Sequence, residues 1–152
     1  MSYVHHTILL VDSNSDDAHF TRLALQRVGV ITPVQTLSDA DEALGYLTGQ
    51  GRYADPESRP WPVLLLLDLH LTGKSGLELL DSLRSHPLLK RLPVIVLTSS
   101  RDPADVTRAY EKGCNSYLVK PTSFNALLVL MQGLVQYWFS LNETAELCQA
   151  TD

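Results

Sequence analysis

Three unbroken apolar runs constrain the fold of this chain more than any other feature. They are Thr7–Val11, Val63–Leu67 and Val94–Leu97, and each ends abruptly in polar residues. A strand that is apolar at every position, rather than at alternate positions, is typical of a parallel sheet covered by helices on both faces. The runs therefore predict a domain of the α/β class.

Weaker signals between these runs complete an alternating pattern. Pro33–Leu37 and Asn115–Val119 are short predicted strands, and five segments carry the apolar period of a helix, the first capped by Ser15 and the last spanning 122–140. Because parallel strands need right-handed crossovers, the alternation predicts a doubly wound five-stranded parallel sheet with five helices. Residues 49–62 have no such period and are predicted to form a long loop.

Composition excludes several classes of protein. The chain has 152 residues, a length typical of a single domain. Its net charge of −5 argues against a nucleic-acid-binding surface. It shows no signal peptide and no apolar run long enough for a membrane span, so we expect a cytoplasmic protein with no membrane partner. Cys114 and Cys148 are expected to be free thiols, and His5 and His6 a solvated terminus rather than a metal site.

The residues that follow the predicted strands carry the chemistry. In chain order they are Asp12, Ser13, Asp68, Thr98 and Lys120. The carboxyl ends of parallel strands meet at one edge of a sheet, where ligands of α/β proteins bind. Carboxylates suit a hard cation such as Mg²⁺, a carboxylate can act as nucleophile, and a hydroxyl and an ammonium can hold phosphoryl oxygens. Together they indicate phosphoryl transfer.

A flavin-binding module with the same fold is the first alternative. It would need a phosphate-binding loop after the first strand. Here that loop carries Asp12, Asp16 and Asp17, whose charges would repel the flavin phosphate. The carboxylates therefore disfavour this alternative.

From residue 7 to about 139 the chain resembles the receiver domain of two-component response regulators. Asp68 matches the phosphoacceptor position, and Thr98 and Lys120-Pro121 follow at the spacing of that family. Tyr117 matches its aromatic switch residue, and Gly76 matches the glycine after its phosphorylation loop. The resemblance implies the flavodoxin-like strand order 2-1-3-4-5. It also implies a receiver domain over 7–140, with 141–152 expected to be a short C-terminal tail and no output domain.

The resemblance also implies roles for the strand-end residues. Asp68 would take a phosphoryl group from a sensor histidine kinase, so the protein would catalyse only its own phosphorylation and dephosphorylation. Mg²⁺ would be held by Asp12, Asp68 and the backbone carbonyl of His70. Thr98 and Lys120 would hold the phosphoryl oxygens, and Tyr117 would respond as a switch. The family also implies a cis bond between Lys120 and Pro121.

A finer resemblance points to one group of receivers. Gly49–Tyr53, Leu88–Pro93 and Gln136–Phe139 look like the corresponding segments of the small response regulators of bacterial and cyanobacterial phytochromes. This likeness implies that the kinase partner is a bacteriophytochrome.

Two positions depart from the family pattern. Receivers usually carry two adjacent acids after the first strand, but here the second is Ser13, and the usual proline four residues after Asp68 is Thr72. With one carboxylate fewer we expect weakened Mg²⁺ binding, with Ser13 a doubtful metal ligand and Asp16 a weaker candidate. The alternative function is accordingly a receiver-fold scaffold with little or no phosphorylation.

The last predicted helix is apolar on two sides. One stripe is expected to face the sheet, and the second includes Leu130, Gly133 and Tyr137. We expect the second stripe to form a homodimer interface, together with the fourth helix and the fifth strand. The alternative is a single wide buried face.

Overall fold

A computed structural model of the protein describes residues 6–145 and contains one parallel sheet. Its strands run in the order β2-β1-β3-β4-β5, which confirms the predicted doubly wound α/β fold. The strands are β1 (Thr7–Val11), β2 (Val34–Leu37), β3 (Pro62–Leu67), β4 (Val94–Thr98) and β5 (Ser116–Val119). Every residue of β1 and β4 is buried, as their unbroken apolar sequences predict.

Five helices cover the two faces of the sheet. They are α1 (Ser15–Arg27), α2 (Ala40–Thr48), α3 (Gly76–Ser85), α4 (Pro103–Glu111) and α5 (Phe124–Val135). Helices α1 and α5 pack on one face, and α2, α3 and α4 pack on the other. The predicted cap of α1 was wrong by one residue, because the side chain of Asn14, and not that of Ser15, accepts the hydrogen bond from the backbone of Asp17.

The last helix differs from its prediction at its C-terminal end. Helix α5 ends at Val135, and a π-helical segment, Gln136–Leu141, follows it directly. Together the 18 residues Phe124–Leu141 have a mean hydropathy of 1.3, so by length and composition alone they could cross a membrane. Asn125, Gln132, Gln136 and Ser140 interrupt this segment, so it is not the unbroken apolar run that a membrane span was expected to need. Leu127, Met131 and Leu134 nevertheless pack in the core, and the exposed large apolar side chains of the segment are Val129, Tyr137, Phe139 and Leu141.

Some expectations concern residues beyond the described part of the chain. His5, Cys148 and the end of the tail, 146–152, lie outside it. Cys114 lies within it and is a buried free thiol, as predicted.

Arg84 links helix α3 to the segments that precede β4 and β5. Its guanidinium donates to the carbonyl oxygens of Gly113, Lys90 and Leu92 at 2.9, 3.0 and 2.8 Å, and to the side chain of Asn115 at 3.2 Å. Four acceptors around one charged group provide strong hydrogen bonds. No feature of the sequence singled out this residue.

We expect Arg84→Met to lower the free energy of unfolding by about 2–4 kcal/mol, because it leaves partly buried carbonyl groups without donors. Urea denaturation measures the change. Arg101→Met, at an exposed position, is the control and should stay within about 0.5 kcal/mol of wild type. Equal effects of the two substitutions would contradict the linking role of Arg84.

Candidate functional site

The C-terminal edge of the sheet brings three of the predicted residues into direct contact. The Nζ atom of Lys120 lies 2.8 Å from Oδ2 of Asp12 and 2.9 Å from Oδ2 of Asp68. The side chains of Lys120, Asp12 and Asp68 are only 10%, 1% and 9% exposed. Three of the strand-end residues expected at one edge of the sheet therefore meet there, in a largely buried site.

Backbone hydrogen bonds of the sheet place these side chains at one level. Asp12 donates its N–H to Leu37, Asp68 donates to Val11, and Lys120 donates to Thr98, over 2.8–3.0 Å. Each residue thus continues the ladder by one position beyond its strand, and its side chain leaves the same edge of the sheet.

The bond between Lys120 and Pro121 is trans, since residues 6–145 contain no cis peptide bond. The cis bond that the family resemblance implied was therefore wrong. Lys120 reaches the two carboxylates without it.

The charges of the site keep Asp68 ionised. Burial alone would raise the pKa of Asp68, but the hydrogen bond and charge of Lys120 outweigh it, so the pKa lies below its usual value. For Asp12 burial dominates and raises the pKa. Burial would lower the pKa of Lys120, but its hydrogen bonds to carboxylates raise it well above its usual value. At neutral pH the site contains an ammonium and an anionic Asp68, the state a nucleophile requires.

A third carboxylate, Asp17, also reaches the ammonium. Its Oδ2 atom lies 2.9 Å from Nζ of Lys120, and its side chain is 41% exposed. The sequence reading missed this contact, because an acid in the first turn of a helix is already explained by the positive helix terminus. It named Asp16 instead, which lies exposed on the same turn.

Thr98 contributes a hydroxyl without a partner. Its side chain is completely buried, and its Oγ1 atom has no hydrogen-bond partner. Thr98 ends β4, and β4 pairs with β3, the strand that Asp68 follows. A buried polar atom without a partner costs free energy, which is typical of a site built for a ligand.

Tyr117 and His70 lie at the border of the site. The hydroxyl of Tyr117 donates to the carbonyl of Ser100 at 3.0 Å, and Ser100 donates its own hydroxyl to Asp105 at 2.5 Å. Tyr117 therefore contacts the loop between β4 and α4, as a side chain that responds to this loop would. The backbone N–H of His70 donates to Oδ1 of Asp68 at 3.2 Å.

Comparisons with known proteins agree with this geometry. The family described as response regulator receiver domain matches residues 8–132. This chain belongs to that family. Its members are receivers of two-component signalling systems.

The relatives also indicate the type of receiver. The chain is 37% identical to the response regulator Rcp1 of Synechocystis over 86% of its own length and 87% of that protein. It superimposes on phosphorylated RcpA, a cyanobacterial phytochrome response regulator, with a TM-score of 0.84 and 34% identity, covering 92% of this chain and 98% of the other. It superimposes on the Mn²⁺-bound form of Rcp1 with a TM-score of 0.82 and 34% identity, covering 92% of this chain and 99% of the other. This receiver is of the phytochrome type.

Ser13 serves a different role in this receiver from the acid usual at its position. Its hydroxyl donates to the carbonyl of Ser38 at 2.7 Å and accepts the backbone N–H of Thr72 at 2.9 Å. A proline at position 72 would have no N–H to donate. The two departures from the family pattern therefore form one hydrogen-bonded link between three loops, and the side chain of Ser13 is engaged away from Lys120.

Receivers of this family bind Mg²⁺, and the donor set here suits such a cation in chemistry. Asp12, Asp17 and Asp68 offer only oxygen ligands, which hard cations prefer. They now surround an ammonium, and within residues 6–145 no group of three or more His, Cys, Asp or Glu side chains has a geometry ready to hold a metal ion. The carboxylate oxygens of these residues suit Mg²⁺, but in this structure they are arranged around the ammonium of Lys120.

The predicted interface residues Leu130 and Gly133 lie on α5, and Tyr137 lies on the π-helical segment that follows it. Gly133 and Tyr137 are exposed, and Leu130 is half-buried. Val129 on the same side is 70% exposed. The second apolar stripe is thus present on the surface.

Proposed function

We propose that this receiver accepts a phosphoryl group on Asp68 from the phosphohistidine of a sensor histidine kinase. One observation carries the proposal: a buried, ionised carboxylate lies 2.9 Å from the ammonium of Lys120, and the neighbouring strand β4 ends on Thr98, whose buried hydroxyl has no partner. The crystal structure of the similar RcpA, which is phosphorylated, supports it.

In the proposed step a carboxylate oxygen of Asp68 attacks the phosphorus, the P–O bond forms, and the P–N bond breaks. The imidazole nitrogen leaves with the electron pair. Lys120 neutralises charge on the phosphoryl oxygens, and the Thr98 hydroxyl donates to one of them. Bound Mg²⁺, held by Asp12, Asp68 and the carbonyl of His70, would supply further neutralisation of that charge.

The product is expected to act through the contact of Tyr117 with Ser100. If the Thr98 hydroxyl moves towards a phosphoryl oxygen, the loop after β4 moves with it, and the hydrogen bond of Tyr117 to that loop changes. This couples the chemistry of Asp68 to the surface formed by α4, β5 and α5.

Intact mass spectrometry after incubation with acetyl phosphate and Mg²⁺ tests the proposal. We expect the mass of one added phosphoryl group in wild type and in the control Asp16→Asn, and no addition in Asp68→Asn. Without any addition in wild type, the scaffold function becomes the better account. The engaged side chain of Ser13 is the observation that favours that second function.

We propose that the kinase is a bacteriophytochrome and the site of action the cytoplasm. The similarity to Rcp1 and to RcpA supports this partner. Phosphotransfer from a phosphorylated bacteriophytochrome should be faster than from an unrelated histidine kinase. Equal rates would contradict the proposed partner.

We expect Ser13→Asp to tighten Mg²⁺ binding by roughly tenfold, because it adds a carboxylate to the site. A Mg²⁺ titration of the phosphorylation rate gives the half-saturating concentration in each protein. The control Ser15→Asp adds the same charge at the exposed first residue of α1 and should change the half-saturating concentration little. An equal half-saturating Mg²⁺ concentration in wild type and Ser13→Asp would contradict the expectation that Ser13 weakens Mg²⁺ binding.

We propose that the receiver forms a homodimer through the α4-β5-α5 face. An exposed side chain such as Val129 would be covered by the partner, which supports the proposal. Sedimentation at micromolar concentration should show a dimer for wild type and for the control Leu88→Asp, at a separate exposed position, and a monomer for Val129→Asp. A wild-type monomer would contradict the interface.

A further inference from the structure

The cation site of this receiver lacks one carboxylate at the position where its family carries it. Ser13 stands there, and its hydroxyl binds Ser38 and Thr72 rather than the centre of the site. Asp12 and Asp68 alone leave the site one negative charge short of the family pattern. The structure nevertheless brings a third carboxylate to the centre from another direction.

That carboxylate belongs to Asp17, in the first turn of α1. The cap fixes the turn, since the backbone N–H of Asp17 donates to the side chain of Asn14 at 3.0 Å. From this position Oδ2 of Asp17 reaches Nζ of Lys120 at 2.9 Å, the same distance as that of Asp68. An ammonium has three N–H donors, and here each has one carboxylate acceptor.

A second observation shows that the site is incomplete without a ligand. The hydroxyl of Thr98, at the end of the strand next to β3, is fully buried and has no hydrogen-bond partner. A site that held its ammonium for structural reasons alone would have no need of an unpaired hydroxyl beside it.

We propose that Asp17 supplies the third carboxylate of the divalent-cation site in place of the acid that Ser13 replaces. In the state described here Asp17 holds Lys120 beside Asp68. A divalent cation that enters competes with the ammonium for the same oxygens, and the partly exposed Asp17 faces the solvent from which the cation comes. The inference rests on the proposed function, because it assigns a residue to the cation on which phosphorylation depends.

Binding of Mn²⁺ to the unphosphorylated protein tests this role without any reaction. The free Mn²⁺ is measured by electron paramagnetic resonance during a titration. Asp17→Asn should weaken binding roughly tenfold, because a carboxylate ligand is lost. Asp16→Asn removes the same charge from the same turn of α1 and should change binding less than about twofold.

A rescue variant separates the ligand role from a structural one. The double variant Ser13→Asp/Asp17→Asn places the third carboxylate at the position where the family usually carries it. Its Mn²⁺ affinity should therefore recover to near the wild-type value. A mere loss of folding in Asp17→Asn would not be repaired in this way.

Equal Mn²⁺ affinities of Asp17→Asn and Asp16→Asn would overturn the role of Asp17, and so would a double variant without recovery. In either case phosphorylation of Asp68 in wild type would still stand. If wild type binds no Mn²⁺ at all, the proposed Mg²⁺ dependence falls as well, and the titration thus distinguishes the two failures.

Discussion

Lys120→Met is expected to lower the free energy of unfolding by about 3–5 kcal/mol at neutral pH, because it leaves buried carboxylates without their counter-charge. Asp12 and Asp68 are 1% and 9% exposed, and both touch the Lys120 ammonium. Lys112→Met is a suitable control. Lys112 is 44% exposed and lies 3.7 Å from Asp81, so its loss should cost less than about 1 kcal/mol.

The effect of Lys120→Met should depend on pH. In the variant, burial and mutual repulsion raise the pKa values of Asp12 and Asp68 in the folded state, so the folded state binds more protons than the unfolded state and gains stability as the pH falls. In wild type the lowered pKa of Asp68 acts in the opposite direction. The stability that ionised Asp68 contributes is present above the pKa of this group in the unfolded chain, and it is lost as the pH falls through its pKa in the folded protein.

The difference between wild type and Lys120→Met should therefore be largest at neutral pH and shrink towards about pH 5. Urea denaturation at several pH values measures it. A loss as small as that of Lys112→Met, or a difference that grows as the pH falls, would contradict the charge arrangement described for the site.

Gly76→Ala is the second change with a large expected effect. Gly76 begins α3, and its N–H donates to the carbonyl of Leu69 at 2.9 Å. An added Cβ would lie 2.7 Å from Cα of Leu69 and would also collide with the carbonyl oxygen of Asp68. Neither is the end of a flexible side chain, so the backbone itself must shift.

We expect Gly76→Ala to cost about 1–3 kcal/mol of stability through overpacking and to slow phosphorylation by moving the backbone of Asp68. Gly45→Ala, within α2, is the matched control. Its Cβ would come no closer than 3.8 Å to the carbonyl oxygen of Gln50, so it should gain about 0.5–1 kcal/mol from helix propensity. Thermal unfolding and the rate of labelling by acetyl phosphate measure both effects. If the two alanines behaved alike, close packing of α3 against the phosphoacceptor would be refuted.

The sequence predicted the sheet well because its signal is local. An unbroken apolar run such as Thr7–Val11 has few alternatives to a buried strand, and the strand that the structure contains has the same bounds. Helix ends were less certain. Capping by Asn14 rather than Ser15 depends on a choice between neighbouring polar residues of similar capping strength, and the end of α5 at Val135 lies within a continuous apolar pattern.

The members of the site were predictable individually, but their contacts were not. Asp12, Asp68, Thr98 and Lys120 stood out because each follows a strand. Asp17 had an adequate explanation in the helix terminus, so nothing in the sequence directed attention to Lys120 as its partner.

The link between Ser13 and Thr72 has a signal in the sequence. Both positions depart from the family pattern, and a residue other than proline at position 72 restores a backbone N–H. Two departures in loops that meet at the same edge of a sheet suggest contact. The structure shows that contact, with Thr72 donating to Ser13 at 2.9 Å.

Chemical mapping of the phosphorylated residue tests the central claim most directly. After incubation with acetyl phosphate and Mg²⁺, reduction with borohydride converts an aspartyl phosphate into homoserine, and peptide mass spectrometry locates it. The account predicts homoserine at Asp68 alone, with Asp12 and Asp17 unchanged. Homoserine at either of those residues instead, or at none while the protein retains its fold, would contradict the assignment of Asp68 as the phosphoacceptor.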